Sequence, residues 1–182
     1  MAMRRRTWIW LVAGAVLIVL GAVTLIWFQP QKLFYDNTVD EALPTVTAPA
    51  DSTGSGTDGG DDGASTEPVE LATGTFISRE HETTGTVRIL RLPDGSTILR
   101  LEDFETSNGP ALYVYLSQNT ADGEDGAFDD DYIDLGALKG NIGDQNYLIP
   151  PEIDPLGFTS VVVWCDRFNV SFGAADLEPS GV

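Results

Sequence analysis

The chain has 182 residues, a formal net charge of −18 at pH 7 and a single cysteine, which is length for one ordinary domain with appendages. Seven of its ten basic residues and all 28 acidic ones lie from Gln29 onward, an acidity that makes nucleic acid a poor partner and opposes docking on anionic lipid. One cysteine excludes an intramolecular disulfide, so the fold has to be held by its apolar core.

Residues 1–7 form a short tip carrying Arg4, Arg5 and Arg6. The uncharged run 8–28 beyond it would, as a helix, span roughly 31 Å at about 1.5 Å per residue, the thickness of a bilayer core. Trp8 and Trp10 at one end and Trp27 and Phe28 at the other suit the two interfaces, and the arginines specify the cytoplasmic side. A cleaved signal peptide is the rival, but its apolar core is normally only about 7–15 residues. The sequence therefore predicts a retained single-pass anchor with everything after Phe28 outside the cell.

Residues 29–70 read as a flexible linker. From 37 to 69 the chain is mostly Pro, Ser, Thr, Gly and Asp, which cannot bury enough surface to fold, and about 33 such residues reach roughly 30 Å as a random coil. The linker is expected to add nothing to the stability of the globular part. Gly54, Gly56 and Gly59 satisfy a G-x-G-x-x-G spacing, but with neither a strand before nor a helix after they form no dinucleotide site.

Residues 71–178 form the globular part, with 179–182 as a tail. Short β-branched and aromatic runs cover 74–78, 84–92, 96–101, 111–117, 132–135, 160–165 and 167–172, separated by turn signals. That rhythm predicts an all-β sandwich or barrel. Pro93-Asp94-Gly95 supplies a tight hairpin turn.

Acid–base or nucleophilic hydrolysis finds little support: the one histidine, His81, lies in the polar segment Arg79-Glu80-His81-Glu82, and no G-x-S-x-G elbow exists. No Cys-x-x-Cys-His run is present for a c-type haem, and one Cys with one His cannot form a structural zinc site. Asp122, Glu124, Asp125, Asp129, Asp130 and Asp131 concentrate hard oxygen donors that suit Ca²⁺; the competing reading is a solvated acidic hairpin tip. Asn169-Val170-Ser171 is a glycosylation sequon expected to be empty in a buried strand.

Alternation along 161–173 places Trp164, Phe168, Val170 and Phe172 on one face and Val163, Cys165, Arg167 and Asn169 on the other. Cys165 is then either a small core hydrophobe or a partly accessible thiol whose thiolate is favoured by Arg167 two residues away.

Three longer motifs occur in order: Phe104-Glu-Thr-Ser-Asn-Gly-Pro-Ala-Leu112, then Leu135-Gly-Ala-Leu-Lys-Gly-Asn-Ile-Gly-Asp-Gln-Asn-Tyr147, then 163–177 around Trp164-Cys165-Asp166-Arg167. Together they resemble the DM-thirteen domain, the electron-transfer module seen beside DOMON domains in Skeletor-type proteins and alone in bacterial membrane-anchored ones. The resemblance implies a β-sandwich-like extracellular domain in which Cys165 takes part in redox chemistry, with an unidentified redox or envelope protein as partner. It also suggests either structural roles or ligand contact for the Asn108-Gly109-Pro110 turn and for Asn141, Gln145 and Asn146, whose amides suit irregular backbone. The competing function is a non-catalytic extracellular binding module, with or without Ca²⁺.

Overall fold

The computed structural model describes residues 2–28, 36–44, 67–128 and 130–181. Helix α1 spans Ala2–Phe28. Its segment Trp8–Ile26, 19 residues with mean hydropathy 2.7, is long and apolar enough to cross a membrane, and none of it is buried as the core helix of a soluble fold would be.

Among the described residues ten strands come after the helix: β1 (Val69–Thr75), β2 (Ile77–Ser78), β3 (Thr83–Arg91), β4 (Thr97–Thr106), β5 (Leu112–Ser117), β6 (Tyr132–Ala137), β7 (Gln145–Ile149), β8 (Ser160–Cys165), β9 (Val170–Asp176) and β10 (Glu178–Pro179). They pair into two antiparallel five-stranded sheets, β10-β1-β3-β4-β7 and β2-β9-β8-β5-β6, so the all-β sandwich expected from the spacing of short strands is the fold found. Between the sheets lie alternate residues of each strand: Val87 and Ile89, Leu99 and Leu101, Tyr147 and Ile149 from the first, Val114 and Leu116, Val161, Val163 and Cys165 from the second. Full burial of each Val, Leu or Ile side chain stabilises by about 1.5–3 kcal/mol relative to exposure.

The Pro93-Asp94-Gly95 turn forms as expected. Leu92 N–H donates to Ser96 O at 2.8 Å, Gly95 adopts φ +86°, and the Asp94 carboxylate accepts from the Ser96 N–H and hydroxyl. Strand β7 escaped the sequence reading because it lies inside the glycine-punctuated second motif. Its alternation is nonetheless plain, with Gln145, Tyr147 and Ile149 inward and Leu148 exposed.

The end of the domain departs from strict alternation. Strand β8 stops at Cys165, residues 166–169 form a turn in which the Phe168 and Asn169 N–H groups both donate to Cys165 O, and Asn169 takes φ +56°. The β8–β9 register also shifts beside Trp164. Consequently Phe168 is exposed, Phe172 joins the inter-sheet core, and Trp164 packs on the opposite face of its sheet. Asn169 is exposed in the turn rather than buried in a strand.

The expected linker 29–70 needs correction at residues 36–44, which form a strap against the domain; 45–66 lie outside the described residues. Val39 N–H donates to Ile142 O and Glu41 N–H to Asp144 O, each at 2.9 Å. Arg100, almost wholly buried, donates to Glu41 O at 2.8 Å and to Asn146 Oδ1 at 2.9 Å while pairing with Glu102 and Asp144. Lys139 Nζ meets Glu41 Oε1 at 2.8 Å, and Leu43 covers Leu90, Leu92 and Ile98 on the outside of the first sheet. A Cβ on Gly143 would stand 2.0 Å from Val39 O, and one on Gly140 2.3 Å from Asn37 O, so these glycines admit the strap. Low-complexity composition hid it, because its fixation is mostly backbone and polar rather than apolar. The chain between helix and domain is therefore only 29–35, and 45–68 joins strap to β1.

Two outcomes are expected. Gly143 has φ +98°, so Gly143→Ala meets both a backbone penalty and the Val39 carbonyl and should cost about 2 kcal/mol or more in a urea titration, whereas shortening 45–66 should leave the midpoint nearly unchanged. The second concerns pH. Burial opposes ionisation of Glu41, but Lys139, the Asn146 N–H and Arg100 together hold its carboxyl below the ordinary 4.5. A lowered folded value means the strap contact is fully stabilising above pH 4.5 and is lost as pH falls through that value. Glu41→Gln should lower the melting temperature at neutral pH, and the difference from wild type should shrink as the pH falls below 4.5.

Candidate functional site

The three sequence motifs converge at one end of the sandwich. The turn 108–111 leads into β5, whose Leu112 stands opposite Cys165 of β8. Asp166 N–H donates to Ala111 O at 3.0 Å, and Leu138 N–H to Leu112 O at 2.8 Å. Above this junction opens a cleft of about 560 Å³ walled by 108–113, 137–141 and the start of the strap at Asp36 and Asn37. A second cleft of about 480 Å³ adjoins it through Asp36, Asn108 and Asn141. A Cβ on Gly109 would press on the Leu112 side chain at 2.9 Å and on the Phe172 ring at 3.0 Å.

Gln145 organises the second motif. Fully buried, its Oε1 accepts from Lys139 N–H and Gly140 N–H at 3.1 Å and from the Tyr147 hydroxyl at 2.9 Å, while Nε2 donates to Gly140 O at 2.8 Å. Asn141 accepts from Asn37 N–H at 2.7 Å and donates to Asp36 and Thr106. The expectation that these amides satisfy irregular backbone is met.

Cys165 has no exposed surface and is packed in the inter-sheet core. Partial accessibility was the expectation; the structure seals the thiol because Leu112, Val170 and Phe172 close around the end of β8. Arg167 was expected on the same face. Instead it sits exposed in the turn beyond the strand end, so the two-residue spacing does not translate into a shared face. A sealed thiol cannot undergo disulfide exchange with another protein, which requires in-line approach to sulfur. A single electron faces no such steric requirement.

The acidic loop keeps Asp122, Glu124, Asp130 and Asp131 in solvent, as a solvated tip would, but its apolar residues fold back onto the sheet. Phe128 is fully buried with Ala121 against Tyr115, Val162, Trp164 and Ala174, so the loop roofs the outer face of the second sheet. Arg79 locks it, placing its guanidinium 5.7 Å from the Phe128 ring centroid, 3.5 Å from Asp125 and against Gly123 O. Asp125 also accepts from the Ser171 hydroxyl and N–H. Asp122 accepts from Thr120; Glu124, Asp130 and Asp131 are exposed; Asp129 lies outside the described residues. Among the described residues no three His, Cys, Asp or Glu side chains converge on a metal-sized site. His81 is half-buried rather than solvated, its ring 3.8 Å from that of Phe172.

An aromatic row on the outer face of the second sheet was not visible in sequence. Tyr132 stacks on Tyr115 with centroids 4.3 Å apart, and Tyr115 lies 6.4 Å from Trp164 and 6.3 Å from Tyr113. The i, i+2 spacing of Tyr113 and Tyr115 was its one available signal.

A family model described as electron transfer DM13 matches residues 75–177, from the end of β1 past β9. No curated protein and no solved structure matches the chain.

The closed environment of Cys165 sets an expected result. Alkylation of the native protein at neutral pH should be at least about a hundredfold slower than in denaturant, and Arg167→Ala should leave the native rate unchanged, as measured by mass spectrometry of quenched samples.

Proposed function

Because the chain belongs to the electron transfer DM13 family, we propose that it is a membrane-tethered domain outside the cell that exchanges single electrons with a redox partner in the envelope, with Cys165 as its redox-active group. The observation carrying this reading is the complete enclosure of Cys165 in a domain of that family. Enclosure favours electron transfer through the packed interior over thiol–disulfide exchange. Helix α1 is the anchor and Arg4–Arg6 hold its start on the cytoplasmic side.

The docked strap adds a spatial limit. From Phe28 to Asp36 there are eight Cα-to-Cα steps, which at about 3.5 Å each extend at most roughly 28 Å. Asp36 also lines the cleft, so the tether enters the domain at the cleft rim. This keeps the cleft near the bilayer, within reach of membrane-bound redox proteins. The cleft is also what supports the competing binding-module reading, since its size suits a small ligand.

Full-length protein in lipid nanodiscs should exchange electrons with a soluble one-electron mediator in thin-layer voltammetry. Cys165→Ser should abolish the signal while the melting curve stays cooperative. Equal signals from wild type and Cys165→Ser would remove the cysteine from the function; no exchange from either would leave the binding reading in first place. Protease added to intact cells should release the domain if the proposed topology holds.

A further inference from the structure

The geometry points to a single-electron relay made of Tyr132, Tyr115 and Trp164, connecting the surface of the second sheet to the interior beside Cys165. It rests on the electron-transfer reading but carries it to three residues that neither the family motifs nor the cysteine assigns.

The row is graded from outside to inside. Tyr132 is 39% exposed, Tyr115 is 4% exposed and Trp164 is 1% exposed. Tyr132 and Tyr115 are stacked at 4.3 Å with planes 26° apart, and Tyr115 and Trp164 continue the row at 6.4 Å and 29°. Electronic coupling between donor and acceptor decays steeply with separation, so near-parallel π-systems at these distances exchange electrons in short steps where one long step would be slow. The strands fix the row: Ser117 pairs with Tyr132, which brings Tyr132 beside Tyr115, and Tyr113 pairs with Trp164. The loop carrying Phe128 and Ala121 closes over the inner end, keeping water from a radical formed there. Trp164 directly precedes Cys165 in β8.

The protons also have places to go. Burial first, then Tyr132, Asp134 and Asp166, push the Tyr115 hydroxyl well above its ordinary value, and the Tyr132 hydroxyl is its hydrogen-bonding neighbour. Tyr115 is therefore a neutral phenol at physiological pH. When a metal-centred one-electron oxidant on a partner removes an electron from Trp164, an indolyl radical cation remains. Tyr115 gives it one electron and releases its phenolic proton to Asp134 or Asp166, leaving neutral Trp164 and a Tyr115 phenoxyl radical. Tyr132 then passes one electron and its hydroxyl proton to the Tyr115 oxygen. The exposed Tyr132 phenoxyl finally takes an electron and a proton from a hydroquinone-type reductant.

The test uses the full-length chain in detergent with Trp8, Trp10 and Trp27 replaced by phenylalanine, leaving Trp164 as the one indole. A laser flash photoionises Trp164, nitrous oxide takes up the ejected electron, excess tert-butanol consumes the hydroxyl radical this releases, and transient absorption tracks the indolyl and phenoxyl radicals. In this background the indolyl signal should convert to phenoxyl in a first-order step independent of protein concentration, and added ascorbate should quench the phenoxyl. Tyr115→Phe keeps the ring but removes the oxidisable hydroxyl, and should slow conversion at least about tenfold. Tyr132→Phe should leave conversion intact and slow quenching by ascorbate at least about tenfold. Tyr113→Phe should change neither. Conversion at the background rate in Tyr115→Phe, or none in the background protein, overturns the relay. Quenching lost in Tyr113→Phe instead of Tyr132→Phe overturns the assigned exit. The relay and the role of Cys165 fail separately, because light bypasses the thiol and Cys165→Ser leaves all three rings in place.

Discussion

Strand β8 has no solvent face, and most of the domain is shaped by that constraint. All six of its residues are buried: Val161, Val163 and Cys165 against the opposite sheet, Val162 and Trp164 against a second cluster outside. A strand covered on both sides needs a roof, and the roof here is the acidic loop, anchored by Phe128 and pinned through Asp125 to Arg79 and Ser171. Burying Phe128, and with it part of Trp164, outweighs ordering a polar loop because each large aromatic side chain removes about 150–250 Å² from water. The same roof seals the inner end of the aromatic row, and the core beneath seals the thiol.

The second constraint is polar. Gln145, Asn141 and Arg100 are all buried, and each is satisfied by backbone of an irregular segment or by strap residues. An unmet partner at any of them would cost about 1–3 kcal/mol, so these bonds tie the strap energetically to the cleft end of the molecule. The carboxylates that remain exposed keep the surface strongly negative.

Much of the fold was legible in the sequence. The hairpin at Asp94-Gly95, strands β3 to β6 and β8, and the sandwich class all come from alternation and turn chemistry. The features that were not legible share one physical cause: contacts distant in sequence decided them. The strap reads as coil because Asn37, Val39 and Glu41 bond to 139–146 across about a hundred residues. Strand β7 is masked by glycines that serve the strap. Local alternation misplaced Phe168 and Arg167 because a four-residue turn and a register shift end the pattern at Cys165. Composition also could not show that the acidic loop roofs the second sheet, because Phe128 meets Trp164 and Asp125 meets Arg79 only in the folded chain. Motif recognition found Cys165, whereas the stacked tyrosines come from β5 and β6 and meet only in the folded sheet.

Electron transfer through the closed fold requires Cys165 to be open to electrons while closed to reagents. The most direct measurement compares two rates on one native sample: oxidation by a bulky one-electron mediator that cannot enter the core, and alkylation of Cys165 by a reagent in the regime where opening limits the reaction. Electron exchange much faster than alkylation, and insensitive to low urea that accelerates opening, is the predicted result. Equal rates that rise together with urea would show that the thiol acts only when β8 is uncovered, and would contradict electron transfer through the closed fold.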